Sequence, residues 1–235
     1  MSDFHTAEKL QQTAPGADAA PHESHLVEHL MGSERVLDGS FLQVLRDTVR
    51  LPHGGQATRE YVVHPGAVVV VPMFDDGRVL LERQYRYPVG RVMTEFPAGK
   101  LDAGEDPLVC GQRELLEETG YTAREWAYAG PMHLAIAYST EVIHVYFARG
   151  LQAGPRQLDA DEFLDVCTMN ATDLLTGCRS GAVTDAKTLT CCLWLQNVQS
   201  GAWALDWQRP SLEGACGVEW NQQEIELERL LIKRL

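Results

Sequence analysis

Positive charge is scarce in this sequence: 20 Lys and Arg stand against 33 Asp and Glu, a formal net charge of −13 at pH 7. That imbalance argues against a protein that binds a nucleic-acid backbone, which needs a basic face to displace counterions. A small anionic substrate remains open, provided that a divalent cation or a local basic cluster offsets the repulsion. No apolar run is long enough to span a bilayer, and the N-terminus lacks the basic-then-apolar pattern of a secretion signal. No membrane association is expected. The cysteines Cys110, Cys167, Cys178, Cys191, Cys192 and Cys216 include no C-x-x-C pair. A zinc site or disulfide framework is therefore not expected, and reduced core thiols in a cytoplasmic protein are.

What is present suffices for one substantial core and a small additional element: 235 residues, 45% hydrophobic and 23% charged. Residues 1–30, rich in Ala, Gln, Pro, Gly, His and acids with little periodicity, read as a flexible leader. Residues 31–63 read as an N-terminal strand subdomain. Phe41 to Val49 and Glu60 to Val63 are strand-like, and Pro52-His53-Gly54-Gly55 turns between them. A catalytic domain is expected over 64–205, and a tail or helix over 206–235, where Ile225, Leu227, Leu230 and Leu231 form an apolar stripe.

Within 64–205, the continuous run Ala67 to Val71 predicts a strand buried on both faces. Asp75-Asp76-Gly77 predicts a hairpin into Arg78 to Tyr85, and Val92 to Phe96 a further strand ending at Pro97-Ala98-Gly99. A helix is expected from the cap Asp106, with Pro107 in its first turn, to Thr119, stopped by Gly120. Strands follow at Ala127 to Ala129, Val142 to Ala148 and Asp165 to Met169, then a helix from Thr184 or Asp185 to about Gln199. Many strands and two main helices give an α/β fold.

The chemistry concentrates in Gly99 to Tyr121. Residues three and four apart share a helix face, so Glu114, Glu117 and Glu118 are expected to converge. Two readings stand at this point. One is a solvent-facing acidic helix balanced by Arg113. The other is a site for a hard divalent cation, which prefers carboxylate oxygens and can bridge phosphates.

The segment resembles the Nudix box, G-x5-E-x7-R-E-U-x-E-E-x-G-U with U aliphatic. Gly99, Glu105, Arg113, Glu114, Leu115, Glu117, Glu118 and Gly120 hold their positions, and only Tyr121 departs, at the last aliphatic place. The resemblance implies a mixed sheet between helices and a pyrophosphohydrolase dependent on Mg2+, with Mn2+ able to substitute. It implies Glu114, Glu118 and the Ala98 carbonyl as metal ligands, helped by Glu117. Arg113 then orients the glutamates and Glu105 braces the loop.

The flanks resemble the ADP-ribose pyrophosphatase branch: Arg59 to Val68, Gln84 to Pro88, Glu95 to Asp102, and Thr184-Asp185-Ala186-Lys187-Thr188. That resemblance implies a homodimer that exchanges N-terminal strands. It implies Arg86 on the substrate's phosphates, Glu95 on a polar group of the nucleotide, Arg59 reaching the partner's site and Glu141 supporting the pocket. Each also has a plainer reading: Arg86 and Arg59 as surface charges, Glu95 as the ion-pair partner of either. Where the branch carries Pro-Gly, this chain has Ile136-Ala137, so a nucleoside diphosphate sugar other than ADP-ribose is open as substrate. The general base is sought among Asp159, Asp161, Glu162 and Asp165, with Glu162 preferred for its reach. His64 and His144 read as structural. A nucleotide-sensing module without turnover is the competing class, and hydrolysis of mRNA caps, diadenosine polyphosphates or NADH is the competing chemistry.

Overall fold

The computed structural model describes residues 21–158 and 162–210, so the stripe Ile225 to Leu231, Cys216, Asp159 and Asp161 lie outside the described residues. The chain divides into Met1–His64 with Ala135–Glu141, and Pro65–Leu134 with Val142–Leu235.

In the first unit a short 3-10 turn (Pro21–Leu26) precedes an antiparallel sheet of β1 (His29–Asp38), β2 (Gln43–Arg50) and β3 (Gln56–Val63). The turn between β2 and β3 closes as expected, the Leu51 N–H donating to the Gly55 carbonyl at 2.8 Å. The strand region begins at His29, two residues ahead of the expected residue 31. Every residue of β1 is exposed, so no inward face imposes the period-two alternation by which strands are recognised. Charge helps tie the sheet: Arg46 on β2 donates to Glu34 on β1 at 2.9 Å and to Glu60 on β3 at 2.7 Å. Residues Ala135–Glu141 join this unit through the Val62 N–H, which donates to the Tyr138 carbonyl at 2.9 Å.

The second unit contains β4 (Ala67–Met73), β5 (Arg78–Arg86), β6 (Arg91–Glu95), β7 (Ala98–Lys100) and α1 (Pro107–Thr119). These are followed by β8 (Tyr121–Met132), β9 (Ile143–Ala153), β10 (Leu164–Asn170), α2 (Ala171–Ser180) and α3 (Ala186–Gln199). The strands form one mixed sheet in the order β10-β5-β4-β9-β8, with β6 paired to β5 and β7 to β4. Only β4 and β9 run parallel, Ala67 to Met73 lying beside Ile143 to Arg149.

The valine run on β4 is explained by the two faces it serves. Val69 and Val71 enter a core with Leu174 of α2 and Cys191, Cys192 and Leu195 of α3. Val68 and Val70 enter the opposite core with Cys110 and Leu115 of α1 and with Trp126. Leu115 is fully buried. Leu115→Ala is expected to cost about 2–5 kcal/mol, the usual range for a truncated core leucine, measured as a fall in Tm or in the denaturant midpoint.

Three elements differ from expectation. The strand expected over Val92 to Phe96 does stop ahead of Pro97, but Ala98–Lys100 then forms a short strand of its own, paired with Val69 to Ala67. β8 extends over Tyr121–Met132, its pairing offset between Tyr128 and Gly130, where Gly130 takes φ 132°. α2 was not foreseen: the side chain of its Asn170 cap accepts no backbone N–H of the helix, and only Leu174 is buried.

Candidate active site

α1 is pinned at both ends by local chemistry. The Asp106 carboxylate accepts from the N–H of Leu108 at 2.8 Å and of Val109 at 3.3 Å, and Gly120 ends the helix in the left-handed conformation at φ 75°. Its buried stripe runs through Gly111, Leu115 and Glu118. Gly111 packs so closely on Val68 and Val70 that a Cβ would lie 3.1 Å from Val68. The helix therefore sits tight on β4, and Glu118, one turn beyond Leu115 on the same stripe, is carried into the interior at 4% exposure.

There the Ala98 N–H donates to Glu118 Oε2 at 3.1 Å. The interior also holds Glu82 of β5, fully buried, with neither carboxylate oxygen receiving a hydrogen bond. Burial pushes Glu82 up to about 7, held back by the charges of Lys187 and Arg86. Burial, and then the neighbouring charge of Glu82, lifts Glu118 well above the usual carboxylate range. Two buried carboxyl groups repelling each other form a place where added positive charge is strongly favoured.

The Arg113 guanidinium organises the outer part. It donates to Glu105 through Nε and Nη2, both at 3.0 Å, to Glu114 at 2.8 Å and to Glu117 at 3.1 Å through Nη1, and to the Lys100 carbonyl at 3.2 Å. Hydrogen bonding to Glu105 foremost raises the Arg113 pKa, and the same bonds hold Glu105 down at about 2. Glu105 also accepts the Asp102 N–H at 2.9 Å, closing the loop ahead of α1. Burial raises Glu114 despite Arg113. The three glutamates thus do not form one cluster clear of cations, as helix spacing suggests. Arg113 draws Glu114 and Glu117 together, while Glu118 turns inward to Ala98 and Glu82. Gly99 makes room for this: a Cβ there would collide with the Glu114 carboxylate.

Arg86 and Glu95 meet directly, with Nε to Oε1 at 2.8 Å and Nη2 to Oε2 at 3.0 Å. Of the two pairings open to Glu95 in the sequence, Arg86 is the one made. Glu95 also accepts from Lys187, whose Nζ lies 3.0 Å from Asp185 Oδ2. Asp185 caps α3 through the Thr188 N–H at 2.9 Å, and Thr188 Oγ1 accepts the Phe96 N–H at 3.2 Å. Burial works against ionised Glu95, yet Arg86 and Lys187 outweigh it and lower its pKa.

Glu162 lies close enough for its charge to raise both Glu114 and Glu118. Asp165, another acid of that segment, is committed to β10 opposite Arg83. Arg59 and Glu141 belong to the first unit. Arg59 donates to Glu28 at 2.9 Å through Nε and to the Thr58 carbonyl, and it lines a cavity of about 260 Å³ with Asp47, Tyr61 and residues 136–140. Glu141 Oε1 lies 3.6 Å from His64 Nε2, and His144 contacts the Tyr128 hydroxyl at 3.1 Å.

Sequence reasoning missed Glu82 and gave Lys187 no role. The signal for Glu82 was available: it closes Val79-Leu80-Leu81-Glu82, a run buried throughout, where an ionisable residue requires a reason.

Among the described residues no three metal-ligating side chains are already gathered about one point. The donor set nevertheless fits a hard divalent cation. Glu114 and Glu118 offer carboxylate oxygens, Glu82 adds a buried carboxyl group beside Glu118, and Gly99 leaves a cradle that a side chain would fill.

The NUDIX domain model matches residues 63–189, and the nucleoside diphosphate sugar hydrolase N-terminal domain matches 28–62. The chain is 37% identical over 173 residues to the ADP-ribose pyrophosphatase of Bacillus subtilis, spanning 73% of this chain and 94% of that one. It is 43% identical over 123 residues to the ADP-ribose pyrophosphatase of Mycobacterium tuberculosis, spanning 52% and 59%. A crystal structure of an ADP compounds hydrolase superposes with a TM-score of 0.68 at 20% identity, covering 74% of this chain and 95% of that one, a likeness of fold.

Proposed function

The chain belongs to the Nudix family of hydrolases, and from that membership we propose that it hydrolyses the pyrophosphate bond of ADP-ribose, giving AMP and ribose 5-phosphate, or of a closely related nucleoside diphosphate sugar. The observation that carries turnover, as opposed to binding alone, is the intact and buried Glu118 backed by the Ala98 N–H and by Glu82.

The residues divide the work. Arg86 binds the diphosphate, and Glu95 offers an acceptor to the nucleotide. Arg113 fixes Glu114 and Glu117, and Glu105 fixes Arg113, so that the carboxylates keep one arrangement between turnovers. Glu114, Glu118 and the Ala98 carbonyl would hold a divalent cation, Mg2+ with Mn2+ able to replace it. When bound, that cation neutralises phosphoryl charge and makes water a better nucleophile. Glu162 accepts the proton of the attacking water as the phosphorus–oxygen bond of the bridge breaks and the other phosphate leaves. Arg59 is assigned to the partner subunit's site, as the resemblance of the flanks implies.

A homodimer is part of the reading. β1 leaves Leu30, Met31, Val36 and Leu37 exposed, an apolar strand that a second copy would cover. A cytoplasmic location is supported by the free thiols among the described residues, Cys110, Cys167, Cys178, Cys191 and Cys192. No helix of the described residues is long and apolar enough to cross a membrane.

Ile136, 82% exposed where the branch carries Pro-Gly, supports the wider substrate class. A magnesium-dependent screen of ADP-ribose, other nucleotide sugars, NADH and dinucleoside polyphosphates, with products separated by chromatography, tests the proposal. AMP and ribose 5-phosphate from ADP-ribose ahead of the rest is the expected result. Preference for a different compound class would reject the substrate, and binding without hydrolysis across the panel would reject the enzyme.

A further inference from the structure

Glu95 is 2% exposed and receives two cations, Arg86 and Lys187. Each is also shared with a second carboxylate, Lys187 with Asp185 and Arg86 with Glu82. The two are not equivalent. The Arg86 side chain is 38% exposed and belongs to a strand end, whereas that of Lys187 is 11% exposed and tied to Asp185 at 3.0 Å. Asp185 is in turn committed to the α3 cap through the Thr188 N–H and, at 2.7 Å, the Thr188 hydroxyl. Lys187 is therefore the more enclosed and more tethered of the two cations, whereas Arg86 can swing outward at the cost of two hydrogen bonds.

We propose that Lys187 is a positioning residue that holds the charge of Glu95 so that Arg86 is free to engage the substrate's diphosphate. The proposal rests on the reading of Arg86 as a phosphate ligand and adds what makes that role possible. A carboxylate as enclosed as Glu95 is costly to leave ionised and unpaired. With Lys187 absent, Arg86 becomes the sole cation on Glu95. It also faces Glu82 at 4.0 Å, buried and without a hydrogen bond of its own. Those two carboxylates would then compete with the substrate for a single guanidinium. With Lys187 present, departure of Arg86 leaves Glu95 still paired, and the anionic substrate takes over the vacated donors. The Phe96 N–H bond to Thr188 keeps the end of β6 in register with α3 while this exchange occurs.

The test is a double-mutant cycle read in KM, in kcat and in ADP-ribose affinity measured calorimetrically in EDTA. Lys187→Met is expected to raise KM and the dissociation constant about tenfold or more, the scale of a charge-assisted hydrogen bond, with kcat changed less than about threefold. Lys187→Arg recovers most of that loss, because the charge on Glu95 is restored. Arg86→Ala raises KM by itself, and adding Lys187→Met to it produces no further rise. Additive losses in the double variant, or a fall in kcat at unchanged KM, would overturn the role of Lys187 while leaving that of Arg86 intact. An unchanged KM in Arg86→Ala alone would instead overturn the phosphate reading on which it stands. Should Lys187→Met fail to fold, Glu95→Gln removes the carboxylate that needs the lysine. Glu95→Gln and Glu95→Gln/Lys187→Met are then expected to share one KM, and a difference above threefold between them would overturn the proposal.

Discussion

Glu118→Gln is expected to lower kcat by about a thousandfold at saturating Mg2+, equivalent to the several kcal/mol that a bound cation contributes to phosphoryl transfer. The substitution keeps the shape of the side chain and an oxygen that can still accept the Ala98 N–H. What it removes is charge, at a place where burial and Glu82 already oppose ionisation. Loss of activity should therefore come without loss of fold: in EDTA at pH 8 the variant is expected to melt at or above the wild-type temperature. The wild-type protein should gain stability on adding Mg2+ or Mn2+, since a ligand of the native state shifts unfolding by mass action. Most of that gain should be missing in the variant. Wild-type turnover by Glu118→Gln at limiting magnesium would remove Glu118 from the metal site.

The second large effect is expected at Glu162. Glu162→Gln should cut kcat by roughly 100- to 10,000-fold, the span of general acid–base contributions, and leave KM within about threefold. Two facts support the assignment. Its charge reaches both Glu114 and Glu118, so it faces the same reaction volume. It lies outside the strand that claims Asp165, which is held opposite Arg83. The decisive readout is the split between kcat and KM. A KM increase that accounts for the whole defect would assign Glu162 to binding instead.

The parts of the fold legible in the sequence are those with strong local chemistry. The start of α1 was written in Asp106-Pro107 and its end in Gly120 because a cap, a fixed φ and a left-handed residue act within one helical turn. The hairpin at Asp75-Asp76-Gly77 was legible for the same reason, with Gly77 at φ 85°. β1 was less legible because its order comes from pairing with β2 and not from a buried face. α2 was hidden because its anchor, Leu174, gives no periodicity. At the site, the box singled out Glu114, Glu117 and Glu118 but not their division between an outer group on Arg113 and an inner one on Ala98. That division depends on where the α1 stripe meets β4 and β5, a matter of tertiary register. Lys187 was invisible as a partner of Glu95 because 92 positions separate them in the chain.

The parallel pairing of β4 with β9 also governs how the molecule is made. Val68 to Val71 leave the ribosome about 75 positions ahead of the strand that completes their pairing, a delay of roughly 4 to 15 s at ordinary rates of synthesis. During that interval the most hydrophobic strand of the chain has β5 and β7 as local partners and one open edge. Nascent chains on neighbouring ribosomes, at staggered stages of synthesis, each expose the same edge in turn. The tightly packed seat that later fixes Glu118 is thus, during biosynthesis, the stretch in greatest need of shielding from its own copies.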